Sequence, residues 1–244
     1  MPARLKAFLL HLTVSAFIAF LVVLLVFKLW YPAPLHLAVG VTDIFLLLLA
    51  VDVVLGPLLT LVVFKVGKKS LVFDLTVIAV LQLCALAYGL WSVSEGRPAW
   101  LVFNVDRFDL VQVIDIDARK LDAAVEPYRH PSLFGPGWVG AVSPDNPEQR
   151  QEILLESAMA GVDIAQRPNL YRPLVEMADA MRKRAFPLEQ LERYNDAAKV
   201  QAVLQEWPKA NAWLPLKAKV KSMVVLIDKE SAAVIAIVDL APWQ

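Results

Sequence analysis

The chain has 244 residues with 24 basic and 24 acidic side chains, and it is 58% hydrophobic, where a soluble domain runs at roughly 45–50%. Zero net charge, with neither part strongly basic, excludes the electrostatic footprint of a nucleic-acid binder. The apolar excess lies at the front: six basic and four acidic residues precede residue 96, so a membrane-embedded first part leads into an ordinarily charged second part.

A bilayer core about 30 Å thick is crossed by roughly 20 apolar helical residues, and three stretches have that length: 8–27, 44–64 and 75–93. The first connection, KLWYPAPLHLAVGVTD, carries Trp30, Tyr31, Pro32 and Pro34, aromatic and helix-breaking residues that suit a membrane–water interface. The second, KVGKKS, is a tight basic turn. Arg4, Lys6, Lys65, Lys68 and Lys69 fall on one side, against Lys28 and Arg97 on the other. By the positive-inside rule the N-terminus and the basic turn are cytoplasmic, and everything after Glu95 lies outside, in the periplasm of a Gram-negative cell. The first span reads as an uncleaved anchor, because its length exceeds a usual signal core and Tyr-Pro-Ala-Pro is a poor cleavage site.

The second span, VDVVLGPLLTLVVFKVGKK over its later part, contains an acid and a Gly-Pro. A central Asp costs roughly 2.5–3.5 kcal/mol on insertion scales, while each Leu, Ile, Phe or Val returns about 0.3–0.6. Residues 44–64 hold sixteen of these, so insertion tolerates Asp52. At about 1.5 Å per residue Asp52 lies roughly 13 Å below Asp43 and 20 Å above Lys65, near the midplane. A carboxyl there is a functional-site candidate by default, and the alternative is a neutral carboxyl used for packing.

Pro57 lacks an N–H and frees the Val53 carbonyl, one possible partner for Asp52. Gly56 permits close approach of another helix, and Thr60 can bond back to the Gly56 carbonyl. On the third span Tyr88 is similar in depth to Asp52, so its hydroxyl is the second possible partner, while Gln82 reads as packing glue, as do Thr13 and Ser15. His11, near the cytoplasmic end, needs no special role. The candidate intramembrane residues are therefore Asp52, Gly56, Pro57, Thr60, Gln82 and Tyr88.

Beyond the spans, residues 100–105 and 109–116 alternate as a β-hairpin. Residues 217–227 and 233–240, joined by a turn at 228–230, read as a closing hairpin in which Lys217, Lys219 and Lys221 place one strand face in solvent. Helical patterns cover 118–125, 147–160, 169–184 and 188–206, with a Pro/Gly-punctuated loop, HPSLFGPGWVGAVSPDNP, among them. The expected architecture is three transmembrane α-helices, residues 1–96, followed by an α+β extracytoplasmic domain, residues 97–244, with N- and C-terminal β-hairpins.

Chemistry is sparse in that domain. Cys84, the single cysteine, lies in a span, and His130 is the one histidine outside. This leaves no internal disulfide, no His-based metal cluster and no His-Cys pair. No nucleotide-binding, hydrolase or metalloprotease motif occurs, so neither catalysis nor a cofactor is expected. Asp115 and Asp117 read as the solvated edge of a strand. Phe134, Trp138 and Tyr171 offer a docking surface or core packing.

YPAPL after the first span, VDVVLGPLLTLVVFKVGKKSLVFDL across the second and third, Gln82, Tyr88-Gly89, Arg97-Pro98 and the closing DKESAAVIAIVDLAPW together resemble the TfpX/TfpZ family of type IV pilin accessory proteins. Asp52, Gly56, Pro57, Thr60, Asp74, Gln82, Arg97 and Pro98 match the family pattern; Val39-Gly40-Val41 departs from it, where a glycine pair is expected. The resemblance implies a chaperone-like, non-catalytic bacterial inner-membrane protein. It would assist or modulate type IV pilus assembly, with the major pilin, other assembly components and the lipid bilayer as partners. Two other classes compete. A small transporter or proton-coupled membrane protein would use Asp52, although three spans are few and no inverted repeat is visible. A membrane-anchored periplasmic sensor would need a cytoplasmic output module, and the segments on that side are a few residues each.

Overall fold

A computed structural model describes residues 1–243. The apolar runs form helices because only a helix satisfies every backbone N–H and C=O within one segment. Helix α1 spans Ala3–Leu24 and widens into a π-helical turn at Leu25–Trp30; α3 spans Val41–Val63 with Pro57 inside it; α4 spans Leu71–Glu95. All three are long and apolar enough to cross a membrane, and they mark the chain as membrane-associated. Each extends the run read from sequence at both ends, apart from the single residue Phe64, where α3 stops one short.

The first connection is folded more tightly than an interfacial loop. After Trp30 the chain turns, forms the short helix α2, Leu35–Val39, and ends it at Gly40 with φ +70°, the left-handed helix terminator that glycine adopts without strain. A side chain at residue 40 would also press on Val220, 3.0 Å away. Tyr31, Leu35 and Ala38 are buried.

The rest of the chain is built on a mixed sheet in the order β4-β3-β1-β2-β6-β7-β8, with β5 beside β6. Its strands are β1 Pro98–Asn104, β2 Arg107–Gln112, β3 Gly137–Ala141, β4 Tyr171–Pro173, β5 Phe186–Pro187, β6 Ala212–Lys217, β7 Met223–Asp228 and β8 Ala233–Val238. The two hairpins are present as β1–β2 and β7–β8, and β1–β3 and β2–β6 pair in parallel. Helices α5 Pro147–Ala160, α6 Ala178–Arg184 and α7 Ala197–Glu206 complete the domain.

Several sequence expectations are corrected. Residues 217–227 are not one strand: the chain turns at 218–222, where the Val220 and Lys221 N–H groups donate to the Ala38 carbonyl, each at 3.1 Å, instead of to a strand neighbour. The lysines there do more than face solvent, since Lys219 pairs with Asp115 and Lys221 with Asp239. The helix read at 169–184 is interrupted because Pro173 cannot continue it and Tyr171–Pro173 pairs with β3. The helix read at 188–206 becomes a 3-10 segment, Leu188–Arg193, and α7, separated where Asp196 caps the latter by accepting from the Lys199 N–H. Residues 118–123 are 3-10, not α, and β2 gives way to a 3-10 turn at Val113–Asp115. Strands β3, β4 and β5 lie where loop or helix was expected. Helix α5 has the bounds read from sequence, opened by the Asn146 cap with Pro147 in first position.

Asp115 and Asp117 are ion-pair partners rather than a strand edge. Asp117 takes Arg119 at 2.8 Å and the buried Arg167 at 3.6 Å, and Glu156 takes both arginines. Hydrogen bonds from Arg119 and then Arg167 hold the Glu156 carboxyl down to about 2, and Arg119 lowers Asp117 in the same way.

One face of the sheet, built from Leu101, Phe103, Phe108, Leu214, Leu216, Val225 and Ile227, packs against Met181 of α6 and against Leu35 and Ala38 of α2. The other face carries two separate clusters, around Trp100 and Tyr171 and around Trp213 and Leu240. Tyr171 is thus core, Trp138 stacks edge-on against Phe108, and Phe134 is exposed. The joint between α4 and β1 is closed by Tyr31, whose hydroxyl donates to the Val93 carbonyl at 2.6 Å. Gln112 donates to the Gly96 carbonyl, and Arg97 to the Ser94 carbonyl at 2.6 Å. Edge strand β8 borders an open groove of about 680 Å³ whose other walls include Pro32, Phe134 and Val175.

Leu35→Ala should destabilise the outer sheet by about 2–5 kcal/mol, the usual range for emptying a core leucine site, read as a lower melting temperature of the purified full chain. Glu156 gives a pH signature. Its folded pKa lies below an unfolded value of about 4.3, so its contribution is present above that pH and is lost as pH falls toward 2. The stability gap between wild type and Glu156→Gln should therefore close between roughly pH 4.5 and pH 2, measured by denaturant midpoints.

Candidate functional site

Apolar helices have no hydrophobic drive to associate within lipid, so small residues and hydrogen bonds decide how they pack. Helices α1 and α4 each pack along α3 and scarcely touch one another. The α3–α4 contact is built on Gly56. A side chain there would collide with the Gln82 amide, whose atoms lie 2.0–2.1 Å from the position of a Cβ. Because residue 56 is glycine, Gln82 enters and its Nε2 donates to the Asp52 main-chain carbonyl at 3.0 Å. That carbonyl lies one residue before the one that Pro57 frees. A second close approach, Gly89 against Leu48, continues the same seam.

On the α1 side the joining bond runs from Thr60, buried, to His11 Nδ1 at 2.7 Å. Thr60 therefore reaches across to α1 instead of back to the Gly56 carbonyl, and His11, which sequence reasoning left without a role, is its partner. Arg4 donates to the Leu61 carbonyl at the same end of α3, neutralising part of the helix C-terminal dipole. This places the N-terminus and the basic turn together, at the end of the bundle away from the sheet.

Between α1 and α4 lies a cavity of about 220 Å³ with Asp52 in its wall. It is lined by His11, Val14, Ser15 and Ile18 of α1 and by Ala79, Gln82, Leu83 and Leu86 of α4. Of the six residues singled out from sequence, Asp52, Gly56 and Gln82 come together here; Pro57 is buried in the α3 packing face and Thr60 closes the α1 contact. Tyr88 does not join them. It is 67% exposed and its ring lies tilted against Trp91, ring centres 5.8 Å apart, so it is not the partner of Asp52. The Val53 carbonyl does not take the Asp52 carboxyl either. His11 and Ser15 were the residues missed as members of one site, and their i, i+4 spacing with Ile18 one turn on is the signal that places them on one helix face.

A model described as fimbrial assembly protein FimB matches residues 1–40. The fimbrial assembly protein of serogroup I from Dichelobacter nodosus is 35% identical over 185 residues, covering 75% of this chain and 70% of that protein. The chain belongs to the fimbrial assembly protein family. The serogroup E1 protein of the same organism is 33% identical over 183 residues, 74% of this chain and 71% of its own length. The protein of serogroups C1 and C2 is 36% identical over 119 residues, 48% of this chain and 88% of its own length. No solved structure matches the chain.

The packing of α3 on α4 yields a sharp expectation. Gly56→Ala would ordinarily gain about 1 kcal/mol of helix propensity, yet here it should lower the melting temperature of the detergent-solubilised protein by displacing Gln82. Gln82→Ala in the same chain should recover most of that loss. Additive losses in the double variant would show that the two residues do not share the space.

Proposed function

We propose that this protein is an accessory factor of the TfpX/TfpZ kind. It acts without catalysis in type IV pilus assembly and handles the major pilin within the bacterial inner membrane. Its three spans cross that membrane with the N-terminus and the basic turn in the cytoplasm and the sheet domain in the periplasm, as the distribution of Lys and Arg implies. Membership of a family whose relatives are called fimbrial assembly proteins supports the role.

The observation that carries the pilin contact is the unfilled angle between α1 and α4. Two helices packed on a third, with a polar-floored cavity between them, leave a side of the bundle along which one more apolar helix can pack. A subunit held in the bilayer by an apolar helix before assembly is such an occupant. The groove beside β8 lies next to the α1–α3 connection and gives the same occupant's outer portion a neighbouring apolar wall.

Deleting the gene should reduce surface piliation. A photo-crosslinking residue at Val14 or Leu83, in the cleft, should capture pilin in cells, whereas one at Val62 or Phe73, exposed elsewhere on the bundle, should not. Normal piliation together with no pilin captured at Val14 or Leu83 would refute the role. Orientation is read in the same cells: in a Cys84→Ser background, Ser143→Cys should react with a membrane-impermeant maleimide from the periplasmic side.

A further inference from the structure

The cavity between α1 and α4 has a lining rich in groups that can accept hydrogen bonds. The Asp52 main-chain carbonyl can only accept, so Gln82 must present its amide nitrogen to it. This leaves Gln82 Oε1 buried, without a partner, on a residue of the cavity wall. His11 Nδ1 is already committed to Thr60. Beside the second His11 ring nitrogen, what remains is the Asp52 carboxyl, the Gln82 carbonyl oxygen and the Ser15 hydroxyl: three groups able to accept, one on each of the three helices. His11 is the one basic side chain in the lining, which holds no lysine or arginine.

A carboxylate in such surroundings is costly unless it is paired. An alcohol supplies one donor, a divalent metal requires more oxygen ligands than these residues offer, and an anion is repelled by Asp52. A primary ammonium brings three N–H donors and one positive charge, matching the three acceptors in number and the carboxylate in sign. The volume, about 220 Å³, is many times what a single water needs. That is room for an ammonium group and a short stem, which Val14, Ile18, Leu83 and Leu86 would surround with apolar surface.

We propose that this cavity binds a primary ammonium group carried on an apolar chain, with Asp52 as counter-ion and Gln82 and Ser15 as the neutral acceptors. In the assembly setting the ammonium would belong to the membrane-embedded end of the handled subunit, a step that rests on the pilus reading. The site itself does not, and purified protein tests it alone.

The test uses the full chain in phosphatidylcholine nanodiscs with a diazirine-bearing long-chain primary amine, the labelled peptides being identified by mass spectrometry. Labelling should concentrate on residues 11–18 and 79–86, and dodecylamine should compete while dodecanol does not. Asp52→Asn should reduce labelling about tenfold or more, as expected for loss of one charge-assisted hydrogen bond, and Asp52→Glu should retain most of it. Equal competition by dodecanol, or labelling spread evenly over the lipid-facing surface, overturns the proposal on wild-type protein whatever the variants do. Undiminished labelling of a folded Asp52→Asn chain overturns it as well. A positive result with no pilin crosslink in cells would keep the site and remove the pilin as its occupant.

Discussion

The Gln82 amide fills the space that any side chain at residue 56 would occupy, and the arrangement of the three apolar helices follows from that contact. It brings α4 against α3 at the level of Asp52, where the Gln82 nitrogen is used and its side-chain oxygen is left free. With α1 held to the same helix by Thr60 and His11, neither flanking helix is required to meet the other. The bundle is therefore closed along two seams and open along the third. Asp52 lies at the open one.

At the far end of the bundle a second set of contacts couples the helices to the sheet. Tyr31, Gln112 and Arg97 pin the passage from α4 into β1, while the turn between β6 and β7 grips the end of α2 through the Ala38 carbonyl. Leu35 and Ala38 are members of the sheet's own core. A fully buried leucine contributes roughly 1.5–3 kcal/mol. The joint is thus a shared core rather than a flexible tether, and the bundle and the groove beside β8 have a fixed relation.

Hydropathy made the three helices legible in the sequence, and strand alternation made both hairpins so; α5 was announced by its Asn-Pro start. Strand β3 was hidden because Gly137 and Gly140, poor strand formers, are required there by Trp100 and Met177 lying close above them. Helix α2 was hidden because aromatic and proline residues suit an interface and a buried turn equally well. For the polar cluster, depth was readable and azimuth was not. Tyr88 matches Asp52 in depth, but six residues beyond Gln82 on a helix of 3.6 residues per turn is a rotation of about 240°, which carries it off the face that Gln82 presents. Thr60 was assigned a local bond, and only the packing of α1 reveals that it reaches His11 instead.

The shared core also sets an order of events. Leu35 and Ala38 are synthesised early, and the strands that cover them, β6 and β7, emerge nearly two hundred residues later. Until then an apolar turn of helix lacks the strands that bury it. The sheet completes its inner face only against a helix made long before it, so completion of the sheet reports on correct placement of that helix. A chain whose first helices are misplaced would be left with an incomplete sheet, a lesion of the sort that quality-control proteases recognise.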